Sequence, residues 1–268
     1  MNTVPVLSMV FMGISAAISF LIPLFLLIVL RRKGADIIPF FVGCLTFILF
    51  ALVLESLVHQ VVLTSSAGAV IQGNIFLYAL YGGTMAALFE ECGRFLAFRF
   101  PLRKYSNNDR NALMYGAGHG GIEALIILGS SMINNLLYAS MINRGTIGDL
   151  LSTLDPAQQQ QLLGVIGTMT SSPSYVFLLG AVERILAVTL HICLSVFVFY
   201  AVKRKEPKLF LLALLFHFLL DAVTVILSSV FTSLVPVEIC LAFMVAVIAY
   251  IARKVYREAK NAAQQTTV

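Results

Sequence analysis

Charge is what this chain has least of. Only 12% of its 268 residues are charged, against 59% hydrophobic, and the mean hydropathy is +0.93. Soluble globular domains carry about twice that share of charge, so the composition excludes a soluble fold and indicates a polytopic membrane protein. Cysteine is scarce too: Cys44, Cys92, Cys193 and Cys240 all fall inside apolar segments and form no CxxC pair, which argues against a disulfide framework. No strand-like alternation competes with the apolar runs, and no internal repeat is detectable. No soluble module accompanies the net charge of +5, so a nucleic-acid partner is not expected. Nor does a basic n-region or small-residue cleavage site precede the first apolar run, which reads as a retained span.

What is present is a series of long apolar segments. The expected fold is all-α, a transmembrane helix bundle with seven spans near 6–30, 37–63, 74–99, 110–138, 174–201, 209–230 and 235–252. Each is long enough for a hydrocarbon core of about 30 Å. Lys and Arg gather in alternate connections: Arg31, Arg32 and Lys33; Arg99, Arg103, Lys104 and Arg110; Lys203, Arg204, Lys205 and Lys208; and Arg253, Lys254, Arg257 and Lys260. The opposite side has only Arg144. This bias places the N-terminus outside and the C-terminus inside, as expected for an integral protein of a bacterial cytoplasmic membrane. A single domain, 1–268, is expected. Its longest connection, about 139–173, is external and holds a short helix capped by Asp155 with Pro156 at its first position. The tail from Arg253 onward is basic, then Gln/Thr-rich, and receives no function.

Against this oily background, ionisable residues inside spans are functional candidates. They are Glu55, Glu90, Glu91, Arg94, His119, Glu123, Glu183, Arg184, His191, His217 and Asp221. Acids outnumber arginines, so some acids must be protonated, the histidines must carry charge, or a cation must bind. Depth organises the set. Counted from Arg99, Arg110, Lys208 and Lys203, the residues Glu90, His119, His217 and His191 lie about 14–18 Å above the expected inner flank. Four helices thus contribute one candidate each to one layer.

Helical spacing adds detail. His119 and Glu123 are four apart, as are His217 and Asp221, so each carboxylate can orient an imidazole or serve as a ligand. Glu90 and Glu91 differ by about 100° around their helix, so one is expected to face the site and the other to be held by Arg94. The run YGAGHGG strips the helix around His119 of side chains; this suits close approach of substrate or close helix packing. Arg184 lies further out than His191, where it can neutralise Glu123 or Asp221, and Glu183 with Arg184 reads as a structural ion pair. Glu55 and His59 read as structural at the outer end of their span, and Cys92 as a packing residue. Three histidines and Glu90 at one depth can form an open zinc site; they can equally position water without metal, and there is no HExxH-like local signature.

These residues resemble the intramembrane CAAX-protease and bacteriocin-processing (CPBP) superfamily, most closely its bacterial YhfC-type branch. The superfamily pattern has a Glu-Glu pair followed by Arg, an aromatic residue four before a His, and a final His followed four on by Asn or Asp. Here these read Glu90, Glu91 and Arg94; Tyr115 and His119; His217 and Asp221. The match covers about residues 74–225. Arg94 stands one residue earlier than usual, and Asp221 stands where relatives often have Asn. The resemblance implies that Glu90 is the general base activating water, with His119 beside it, and that His217 and Asp221 stabilise an oxyanion. It implies a peptidase acting on membrane proteins or peptides within the bilayer, of glutamate or metal type. A metal would draw on His119, His191, His217 and Glu90, with Glu123, Glu183 and Arg184 supporting. The rival readings are a proton- or cation-coupled transporter and an inactive membrane scaffold.

Overall fold

The computed structural model describes residues 3–265; the final residues of the Gln/Thr-rich tail lie outside them. Among the described residues the regular elements are helical. They are α1 (Val6–Arg32), α2 (Ile38–Leu63), α3 (Ser66–Gln72), α4 (Ile75–Arg99), α5 (Arg110–Arg144), α6 (Ile147–Ser152), α7 (Pro156–Ser171), α8 (Tyr175–Arg204), α9 (Pro207–Val230) and α10 (Leu234–Gln265). Six of these, α1, α2, α5, α8, α9 and α10, are long and apolar enough to cross a membrane. The seventh expected span is α4. Its 25 residues give it the length, but Glu90, Glu91, Arg94 and Arg99 dilute its hydropathy. The first three are buried in the protein, where a polar side chain need not meet lipid. The protein is an all-α polytopic membrane bundle.

Local chemistry sets the helix ends. Asn74 caps α4, its Oδ1 accepting from the backbone N–H groups of Phe76 at 2.9 Å and Leu77 at 3.2 Å. Asp155 and Gln158 form a reciprocal capping box at the start of α7, with Pro156 at its first position. Gly145 ends α5 at φ 77°, where a Cβ would be strained. Within the spans, hydroxyls bond to carbonyls one turn back, as Thr46 Oγ1 does to Val42 O (2.7 Å) and Thr224 Oγ1 to Leu220 O (2.7 Å). This satisfies them where water is absent. Two helices widen locally into π-turns, α2 over Ile48–Glu55 and α5 over Leu125–Gly129.

The chain divides into two compact units. The first comprises the chain up to Ile22 and Ala124–Arg184. Its core gathers Met12, Ala16, Met132, Ile142, Leu162, Ile166, Met169 and Phe177. Asn143 clips the N-terminal strand of chain onto it by accepting from Val4 N (2.8 Å) and donating to Val4 O (3.0 Å).

The second comprises Pro23–Glu123 and everything from Ile185 onward. Its core runs along α8 through Leu190, Leu194, Phe197 and Tyr200 to Val245 and Ile248 of α10. Within this unit α4 packs most extensively on α9. That contact is close enough that a Cβ on Gly83 would lie 2.8 Å from Phe218 O.

Candidate functional site

Glycine fixes the position of His119. A Cβ on Gly118 would stand 2.0 Å from Phe40 O on α2, and one on Gly116 would stand 2.5 Å from Ile192 Cα on α8. On the face that Gly116 shares, a Cβ on Gly120 would stand 2.9 Å from Val188 Cα of α8; elsewhere one on Gly121 would stand 2.5 Å from Pro23 Cβ, and one on Gly43 of α2 would stand 2.3 Å from Tyr115 O. Cys44 Sγ also donates to Gly118 O at 3.2 Å. The glycine run therefore serves helix packing: it lets α5 touch its neighbours by backbone and leaves the His119 imidazole fully buried. Phe47 lies edge-on to that ring at 5.4 Å between centroids.

Around His119, each of three buried imidazoles meets a carboxylate from another helix. His119 Nε2 is 2.8 Å from Glu90 Oε2, His191 Nε2 is 2.6 Å from Glu123 Oε2, and His217 Nδ1 is 2.8 Å from Glu91 Oε1. A fourth carboxylate, Asp221 Oδ2, stands 3.4 Å from His217 Nε2. The rings sit in a row, with centroids 4.8 Å apart for His119 and His191 and 5.5 Å for His191 and His217. Glu90, His119, His191 and His217 thus lie together, as their common depth predicts. The pairing that spacing along the helix favours does not hold for Glu123, which reaches across to His191 and not to His119.

Arg94 is fully buried at the centre of this row. Its Nη2 donates to His191 Nδ1 at 2.9 Å and lies 3.4 Å from Glu91 Oε1, while Nη1 donates to His191 O at 3.1 Å. Glu91 is thus held by Arg94, as expected, and it also supports His217. Glu183 bonds to Arg184, its neighbour. Glu55 is buried, with its Oε1 3.1 Å from His59 Nε2, and His59 Nδ1 is 2.8 Å from Tyr81 Oη. Sequence reasoning missed the Arg94–His191 contact and the role of Gly43. The first joins residues 97 apart and has no linear signal; Gly43 was visible as a lone glycine in an apolar span.

One oxygen of Glu90 and one nitrogen each of His119 and His191 lie within 4.8 Å of one another, all buried. The donor set is chemically suited to a divalent metal, with the three protein ligands that a catalytic zinc site uses. His191 has an outer carboxylate, as metal-bound histidines usually have: Glu123 Oε2 lies 2.6 Å from its Nε2, which leaves Nδ1 facing Glu90. Two features must change for loading. Arg94 Nη2 now occupies the Nδ1 lone pair, and His119 Nδ1 is buried without a partner. A metal on Nε2 would put a proton on that Nδ1 with nothing to receive it. His217 stands apart from this group, with carboxylates opposite both nitrogens.

A buried cluster of metal-capable side chains in an all-helical integral membrane bundle defines a class of membrane protein with an interior polar site. The chain belongs to the YhfC intramembrane metalloprotease family, whose sequence profile matches residues 18–248. It is also 39% identical over 247 residues to the uncharacterized membrane protein YhfC of Bacillus subtilis (strain 168), covering 91% of this chain and 94% of that one. No solved structure matches it.

Proposed function

We propose that this protein is an intramembrane peptidase that hydrolyses a peptide bond inside the bilayer, with Glu90 taking the proton from the attacking water. The convergence of Glu90, His119 and His191 donor atoms within 4.8 Å in a buried site carries this reading, and membership of a metalloprotease family supports it. Glu90 is oriented by His119, whose Nε2 is 2.8 Å away, so its second oxygen is left to meet water. Glu90, His119 and His191 would hold the metal, zinc by its preference for this ligand set; when bound it would lower the pKa of water and polarise the carbonyl.

The remaining residues divide the work. Glu91 accepts from His217 Nδ1 and fixes the ring, so that the imidazolium form, with carboxylates at both nitrogens, points its Nε2–H toward Asp221 and the space where an oxyanion develops. Arg94 offsets the charge of Glu91 and holds the α8 backbone through His191 O. Glu123 keeps the proton of His191 on Nε2. A peptide bond within an intact helix is hydrogen-bonded and closed to attack, so the substrate is a membrane protein or peptide that presents an unwound or terminal segment.

The test uses purified protein with a library of membrane peptides and the variants Glu90→Gln and His119→Ala. Both should cut cleavage by at least about 100-fold, the lower range for loss of a general base. Undiminished cleavage in both would refute the assignment. Stoichiometric zinc and sensitivity to chelators would select the metal form, and activity without metal the glutamate form.

A further inference from the structure

The geometry points to a binding site for one anionic phospholipid at the basic end of the second unit, away from the histidine row. A cavity of about 410 Å³ opens there between the ends of α4, α8 and α9, lined by Phe95, Arg99, Ala201, Val202, Lys205, Pro207 and Phe210. That volume lies in the range of ligand sites, about 300–1,000 Å³. Its walls are apolar except for Arg99 and Lys205, which come from different helix ends, and no acid lines it. Neither cation has a hydrogen bond or ion pair among the described residues, whereas their neighbours do: Lys203 pairs with Asp109 at 2.6 Å, and Arg204 Nη1 lies 3.8 Å from Glu206.

The shape is also built and not incidental. Phe95 and Phe210 pack ring to ring, with centroids 5.2 Å apart, and fix the floor. Lys205 takes a left-handed backbone, φ 56°, where glycine would be free of strain. Glu206 N–H donates to Ala201 O across that turn at 3.1 Å, and Pro207 starts α9 immediately after it. A side chain is thus kept at a position that favours its absence, beside a cavity that lacks negative charge.

A free phosphate would gain the two cations and nothing from the apolar walls. A neutral lipid would gain the walls and leave the cations unmatched. An anionic phospholipid satisfies both, with its phosphate between Arg99 and Lys205 and a hydrocarbon chain against Phe95, Val202 and Phe210. Basic pockets between membrane helices recognise headgroups in this way.

The experiment is native mass spectrometry of the full chain released from nanodiscs of mixed phosphatidylcholine and phosphatidylglycerol. The parent should retain one phosphatidylglycerol in preference to phosphatidylcholine. Loss of one cation is expected to weaken retention about 5-fold, and Arg99→Gln with Lys205→Gln about 30-fold, taking each charge at its usual strength near a membrane surface. Val202→Phe, which fills the cavity and keeps both charges, should also lose the lipid. Arg32→Gln with Lys33→Gln, basic residues outside the cavity, should not. Lys205→Gln alone, at an exposed turn, serves if the double variant does not fold. Unchanged retention in the cation variants overturns the site. So does an equal loss in the Arg32/Lys33 control, retention unaffected by Val202→Phe, or displacement of the lipid by inorganic phosphate.

Discussion

Gly118→Ala and Gly82→Ala make the same chemical change in two membrane helices and should move stability in opposite directions. In a helix interior, Gly→Ala gains about 0.5–1 kcal/mol because alanine loses less backbone freedom on folding. Gly82 has nothing within 4 Å of its would-be Cβ, so that gain should appear in full. At Gly118 the same Cβ would stand 2.0 Å from Phe40 O, 2.7 Å from Phe40 C and 2.9 Å from Phe40 Cα. These are backbone atoms and cannot rotate away. Ordinary contact begins near 3.4 Å, so α2 and α5 must part by more than an ångström. Overpacking of this kind costs about 1–3 kcal/mol, enough to reverse the propensity gain. It also moves His119, the adjacent residue, and a displacement of about 1 Å can cost about 100-fold in rate. The assay is unfolding of both variants in detergent, with cleavage measured alongside. A Gly118→Ala protein as stable as Gly82→Ala, with its activity intact, would refute the close α2–α5 contact and the account of why His119 is surrounded by glycine.

Arg94→Met should destabilise the fold by about 3–5 kcal/mol, because Glu91 would be left as an uncompensated buried charge; a shift in denaturation midpoint reads this, and Arg94→Met with Glu91→Leu should recover part of it. Asp155→Ala removes the capping box of α7 and should cost about 1 kcal/mol with no loss of cleavage, because α7 carries no member of the histidine row. Glu123→Gln should weaken metal binding about 10–100-fold, the usual effect of losing the carboxylate behind a metal-bound histidine, as measured by competition with a chromophoric chelator. In the metal form, dialysis against a chelator should abolish cleavage while leaving helix content by circular dichroism unchanged; cleavage that survives dialysis selects the glutamate form.

The spanning helices were legible in the sequence because each is a long apolar run, and the start of α7 because Asp155 and Pro156 mark it; the short helices α3 and α6 carry no such signal and were not expected. The expected boundaries for α1, α2 and α4 fall within two residues of those observed. α4 was the hard case: Glu90, Glu91 and Arg94 lower its hydropathy, and only their burial reconciles it with its neighbours. Depth counting was legible too, since rise per residue is nearly constant in a helix; it brought Glu90, His119, His191 and His217 into one layer. Partner choice was not. Which carboxylate serves which imidazole depends on helix rotation and crossing, so Glu123 pairs with His191 although its spacing favours His119.

That rearranged pairing changes what the site can choose between. Arg94 and a metal ion are both cations, and both would use the lone pair on His191 Nδ1, the atom that Arg94 Nη2 meets. With Arg94 in place, 2.9 Å from Nδ1, that nitrogen is taken, and in the proposed mechanism Glu90 would act on water without a metal. In the proposed metal form Arg94 would have to move off, and the same nitrogen would join Glu90 and His119 in a three-ligand set. Arg94 has a second anchor in Glu91, 3.4 Å from its Nη2, so releasing His191 need not expose a bare guanidinium. The adjacent glutamates of α4 then have distinct duties set by helical phase. Glu90 faces His119 and the candidate site, and Glu91 retains the one permanent positive charge in the row. On the proposed function, metal-dependent and glutamate-type hydrolysis would then be two occupancies of one scaffold, separated by the position of a single arginine side chain.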